Sequence, residues 1–200
     1  MAHQMTISRQ SHPLVLQSKA LIDDNRQGAG MPGRRSASQS LCCKPRQVGV
    51  YRFHKCATSG GITCFVDNDL QRELNNLRPP KQYTLRANVK KIIKEAQKGT
   101  LAQSSDPRYN PLAAPCASKP DVWELRWKLF GELYRMYYSE DGTRNPEFVA
   151  LSFTHKITHN LTGAQIKNNQ NAAISQAQSL YNRYKGINWG HTKGKCKNCI

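Results

Sequence analysis

Three short segments late in the chain restrict its fold more than any other feature. They read Val-Trp-Glu-Leu-Arg-Trp-Lys over Val122–Lys128, Leu-Tyr-Arg-Met-Tyr-Tyr over Leu133–Tyr138, and Phe-Val-Ala-Leu-Ser-Phe over Phe148–Phe153. Aromatic and β-branched residues at this density suit a pleated, half-buried surface. In the first segment Val122, Glu124, Arg126 and Lys128 share one strand face, and Trp123, Leu125 and Trp127 share the other. Phe130-Gly131 supplies one turn and Ser139–Pro146, with Asp141-Gly142, another. Links this short join antiparallel neighbours, because parallel strands need a crossover of about a dozen residues or more. The segments therefore predict a three-stranded meander.

The flanking pattern adds helices. Val48–His54 alternates and is rich in strand formers, so it predicts a first strand. Asp67-Asn-Asp69 offers N-cap chemistry ahead of Leu70, Leu74 and Leu77 at helical spacing. Pro79-Pro80 suits the first turn of a second helix, whose Leu85, Val89, Ile92, Ile93 and Ala96 make one apolar face. Arg86, Lys90, Lys91, Lys94 and Lys98 lie largely on the other face, and Gly99 is a good residue to end it. Leu101–Pro120, with four prolines, reads as a loop. Thr162-Gly-Ala-Gln165 has capping-box spacing. Beyond it Ile166, Ala173, Ile174, Ala177, Leu180, Tyr181 and Tyr184 fit one helical face. The predicted class is α+β, in the order β-α-α-β-β-β-α: a small twisted antiparallel sheet, a helical hairpin and a C-terminal helix.

Charge then narrows the function. Thirty Lys and Arg oppose thirteen Asp and Glu, a formal net charge of +17. A charge so far from zero points to a polyanion such as nucleic acid. No apolar run approaches the ~20 residues of a spanning helix, so no membrane role is expected. Residues 1–46 are rich in Gly, Pro and Ser around Arg34-Arg35 and read as a basic arm that does not fold. Residues 47–185 read as the folded domain, and 186–200 as a basic tail. Seven cysteines form no even disulfide framework and no signal-peptide core is visible, which points to a reducing, cytoplasmic compartment. In the tail, Cys196 and Cys199 with His191 supply only three ligands of the four that zinc prefers, so no metal site is assigned. No cofactor is expected.

The order of elements and three local signatures resemble the RelE/ParE-type bacterial toxins, in particular the HigB-like, phage-derived branch. The signatures are Trp123-Glu-Leu-Arg-Trp-Lys128, Tyr134-Arg135-Met-Tyr-Tyr138 and Phe153-Thr-His-Lys-Ile157, against family forms of roughly W-E-L-R, Y-R-x-x-Y and F-x-K-K-T. The resemblance covers about Val48 to Lys185. His155 stands where the family often has the first Lys of a pair, and Ile157 and His159 replace residues that are often Thr and Lys. The resemblance implies a sheet with helices on one side and a basic open face. It also implies a helix-turn-helix antitoxin as partner, and metal-independent cleavage of mRNA on the ribosome. A ParE-like gyrase inhibitor and a catalytically inactive nucleic-acid-binding relative are the alternatives.

Metal-free RNA cleavage needs a group to take the 2′ proton, cations for the phosphorane charge and an acid for the 5′ oxygen. Arg126, Lys128 and Arg135 are the expected phosphate ligands, with Lys90 and Lys94 as further RNA contacts. Arg135, Lys156, His155 and His159 form the expected catalytic set, a histidine acting as base or acid. Trp123, Trp127, Tyr134, Tyr137 and Tyr184 are read as core. Glu124 has the parity to pair with Arg135 across strands.

Overall fold

The computed structural model describes residues 40–54, 65–101, 112–141 and 147–190. The order is β1 (Arg52–His54), α1 (Phe65–Asn75), α2 (Pro79–Lys98), β2 (Leu112–Pro115), β3 (Trp123–Leu129), β4 (Glu132–Asp141), β5 (Glu147–Lys156) and α3 (Gly163–Tyr184). The five strands form one sheet in the order β1-β5-β4-β3-β2. The expected α+β class and element order are present, with β2 added. β2 to β5 are antiparallel neighbours, whereas β1 lies parallel to β5.

Several differences from expectation concern strands. β1 is three residues long, not seven. Gly49 adopts a φ of 71°, which breaks the extended run before it can pair. The Tyr51 N–H instead donates to the Gln97 carbonyl at the end of α2. β2 falls inside the expected loop. Leu-Ala-Ala-Pro carries no β-branched residue, and its proline is tolerated only because the strand is an edge.

The β3–β4 turn is the one expected. Phe130 and Gly131 both have positive φ, 55° and 84°, as a two-residue turn of the favoured twist demands. β4 and β5 each run to ten residues, longer than their sequence patterns suggest. Their register shifts between Tyr137 and Tyr138, opposite Ser152 and Ala150 respectively. Leu151 is thus the extra residue of a bulge, and it turns to the same side as Val149.

Helices cover both sides of the sheet, not the one side that the resemblance implies. Leu74 of α1 and Leu85, Val89, Ile92 and Ala96 of α2 pack with Trp123, Leu125, Trp127, Tyr134, Met136 and Tyr138. Ile174, Ala177 and Tyr184 of α3 pack with Val122, Tyr137, Val149 and Leu151. The reason is that β4 and β5 carry apolar side chains at both parities. Each large side chain buried this way contributes about 1.5–3 kcal/mol. α1 begins at Phe65, so Asp67-Asn-Asp69 lies in its first turns and does not cap it. The Asp69 carboxylate accepts the Phe153 N–H at 3.1 Å, which fastens α1 to β5. The Thr162/Gln165 capping box is present as expected.

The fold reaches past 47–185 at both ends. Ser40 and Cys42 are fully buried, and Ser40 Oγ bonds to the Tyr138 hydroxyl at 2.8 Å and to Glu140. Trp189, in a 3₁₀ segment after α3, is buried in the α3 cluster. Residues 1–39 and the Cys196/Cys199/His191 tail lie outside the described residues. No helix among the described residues is long and apolar enough to cross a membrane.

Candidate functional site

Sheet register brings most of the expected cations together. Arg126 stands opposite Arg135, which stands opposite Thr154; one step along, Lys128, Leu133 and Lys156 form the next row. Residues at these positions share one face. It is the face α3 covers, and α3 covers only part of it. Arg126 and Lys128 are exposed, Lys156 is half-buried and Arg135 is buried.

Glu124 is the acid of this cluster. Arg135 Nε donates to Glu124 Oε2 at 2.9 Å, and both side chains are less than a tenth exposed. Arg126 Nη1 reaches Glu124 Oε1 at 3.6 Å. The carboxylate is held by two guanidiniums, and the cross-strand pair read from the sequence is real. Arg126, Lys128, Arg135 and Lys156 against one carboxylate leave a local excess of about three positive charges. Burial, then Arg135 and Arg126, lower the Lys156 ammonium below the usual lysine value; Glu124 opposes this. That is the behaviour of an amine able to give up its proton closer to neutrality.

The histidines do not join this cluster. β5 runs on through Lys156, so His155 and Lys156 are neighbours on a strand and point to opposite faces. His155 stacks on Tyr134, ring centroids 5.3 Å apart, and its Nε2 lies 3.0 Å from Glu132 Oε2. It belongs to the α1–α2 side. His159 is exposed in the turn before α3. Lys90 and Lys94 are exposed on the outer surface of α2, across the sheet from Arg135. They form a stripe with Arg86 at four-residue spacing, about 6 Å per step, separate from the cluster.

Between α3 and the β4–β5 face lies a cleft of about 190 Å³. Arg135, Tyr137, Thr154, His155 and Lys156 line it from the sheet, although the His155 ring stacks on Tyr134, and Ile166, Asn169 and Gln170 line it from the helix. The sequence pattern missed the two amides because they read as the solvent face of α3. Trp123, Trp127, Tyr134, Tyr137 and Tyr184 are buried as expected. Among the described residues no group of three or more His, Cys, Asp or Glu side chains is placed to hold a metal.

Comparison with known proteins finds no matching family model, no matching curated protein and no matching solved structure.

Proposed function

We propose that this protein is the toxin of a type II toxin–antitoxin pair, an endoribonuclease that cuts ribosome-bound mRNA without a metal, in the cytoplasm. The observation that carries the reading is the row of Arg126 and Arg135 across adjacent strands, with Lys128 and Lys156 in the next row of the same face and one carboxylate already engaged. A guanidinium fork grips phosphate in two places and stays charged at any working pH. Arg126 and Arg135 neutralise the phosphorane. Lys156, its amine lowered by burial and by both arginines, takes the 2′ proton. The 2′ oxygen then attacks phosphorus, the bond to the 5′ oxygen breaks and that oxygen takes a proton from solvent water, giving a 2′,3′-cyclic phosphate and a 5′ hydroxyl. The α2 stripe gives the same protein a second grip on phosphate backbone, and its partner is a helix-turn-helix antitoxin.

One observation favours the inactive, nucleic-acid-binding alternative: His155 lies on the wrong face and His159 in an exposed turn, which removes both histidines from the cluster. Induced expression in a bacterium, followed by mapping of RNA ends, separates the readings. The endonuclease reading expects growth arrest and cuts within codons. DNA breaks with intact mRNA identify a gyrase inhibitor, and salt-dependent binding without cutting an inactive relative.

Two finer outcomes follow from the geometry. His155→Gln keeps the cutting rate within about twofold, since that ring stacks on Tyr134 and meets Glu132 on the opposite face of the sheet; a loss of a hundredfold contradicts this placement. The rate rises with pH from neutrality until Lys156 is deprotonated, because a base acts only in its neutral form. A rate that falls with pH over the same range assigns Lys156 the acid role instead.

A further inference from the structure

We propose that the cleft between α3 and the β4–β5 face holds a single unstacked RNA base, that of the nucleotide whose phosphate lies on Arg135 and Lys156. The inference rests on the RNA reading of that site and adds the element that would give it base preference.

Four features of the cleft point the same way. Its volume of about 190 Å³ is below the ~300–1,000 Å³ of pockets for drug-sized ligands, so it suits one ring and not a dinucleotide cofactor. Its walls are mixed. Ile157 and Ile166 offer apolar surface, and Ile157 is half exposed, an apolar cost that a stacked ring would relieve. Inorganic phosphate gains nothing from such walls. Asn169 and Gln170 face the cleft, and neither amide has a hydrogen-bond partner among the described residues. A primary amide presents one donor edge and one acceptor edge, the pair that reads a base.

The fourth feature is Tyr137. It lines the cleft, is fully buried, and its hydroxyl has no hydrogen-bond partner among the described residues. An unmet buried hydroxyl costs about 1–3 kcal/mol, and a polar ligand atom at the cleft floor would offset it. Thr154, by contrast, is already engaged, donating to the His155 carbonyl at 3.3 Å. Arg135 and Lys156 as cations, Ile157 and Ile166 as apolar surface and the two amides of α3 match a nucleotide: phosphate, ring and base edge. Sequence-specific recognition of RNA acts on unstacked bases of this kind.

The test is equilibrium binding of the four nucleoside 3′-monophosphates and of inorganic phosphate to the full chain, followed by NMR or calorimetry. At least one nucleotide is expected to bind about tenfold or more tightly than phosphate, a difference of about 1.4 kcal/mol. The double variant Asn169→Leu/Gln170→Leu removes that advantage and leaves phosphate binding unchanged. Leucine keeps helix propensity at both sites, so the variant folds. Equal binding of nucleotide and phosphate, no binding of either, or an advantage that survives the double substitution overturns the proposal. The readout is independent of cutting. A protein that prefers a nucleotide but never cuts RNA keeps the base site and loses the endonuclease reading; one that cuts without base preference in binding does the reverse.

Discussion

Replacing Glu124 by alanine is expected to destabilise the protein by about 3–5 kcal/mol, the cost of breaking a buried ion pair from one side. The Arg135 guanidinium is less than a tenth exposed and its Nε donates to this carboxylate at 2.9 Å. Without Glu124 it is a buried charge with no counterion. Arg126 loses its partner too, and the repulsion among Arg126, Arg135 and Lys156 is unopposed. For a chain of this size each kcal/mol moves the melting temperature by roughly 2–4 °C, so a fall of about 6–20 °C is predicted. Glu124→Gln retains an acceptor for Arg135 and falls by less. A shift under about 2 °C for Glu124→Ala would show that the pair is solvated and contributes little.

Gly99→Ala is the second large effect. Gly99 ends α2 with a φ of 73°, its N–H donating to the Ala96 carbonyl at 2.9 Å. A side chain in that left-handed conformation costs about 1–2 kcal/mol. The site is also crowded: a Cβ there would stand 2.6 Å from the Pro45 nitrogen and closer still to the Lys44 carbonyl. That carbonyl is fixed from another side by the Tyr51 hydroxyl, which donates to it at 2.9 Å. Relieving the overlap costs a further ~1–3 kcal/mol, so a total of about 2–5 kcal/mol is expected. Gly131→Ala is the control, since Gly131 has a φ of 84° but open space around it. Melting curves that place the two variants together would contradict the close approach of Lys44 to α2.

The fold was legible where period and turn chemistry agreed. Trp123–Lys128 alternates cleanly, Phe130-Gly131 stops it, and both features appear as read. Arg126, Lys128 and Arg135 fell on one face for the same reason: parity is fixed once the strand and its partner are known. The errors have physical causes. The third strand was expected to stop at Phe153, which left His155 and Lys156 free to converge in a loop. Because β5 continues to Lys156, parity separates them, and the histidine goes to the α1–α2 side with Glu132. β2 was hidden because Leu-Ala-Ala-Pro owes its strand to backbone pairing with β3, not to its own side chains. Cover on both faces was hidden because Tyr137 in one apolar run, and Val149 and Leu151 in the next, did not show their faces in the sequence, and only the bulge at Tyr137/Tyr138 sorts them.

Net charge was a poor guide to place. Lys90 and Lys94 sit in the most basic stretch and lie across the sheet from the cluster. The cations of the candidate site come from β3 to β5, where charge along the sequence is nearly balanced. Register, not abundance, concentrates them.

In the proposed chemistry Lys156, beside Arg126 and Arg135, moves the proton in RNA cleavage. Its most direct test is the cutting rate of purified Lys156→Met on ribosome-bound mRNA, with melting temperature measured in parallel. Burial and two arginines disfavour the Lys156 charge in the folded state, so removing it leaves stability unchanged or raised. A folded variant that cuts about a hundredfold or more slowly than the parent is expected, the scale of a lost general base. A folded Lys156→Met protein that cuts at the parent rate would contradict it.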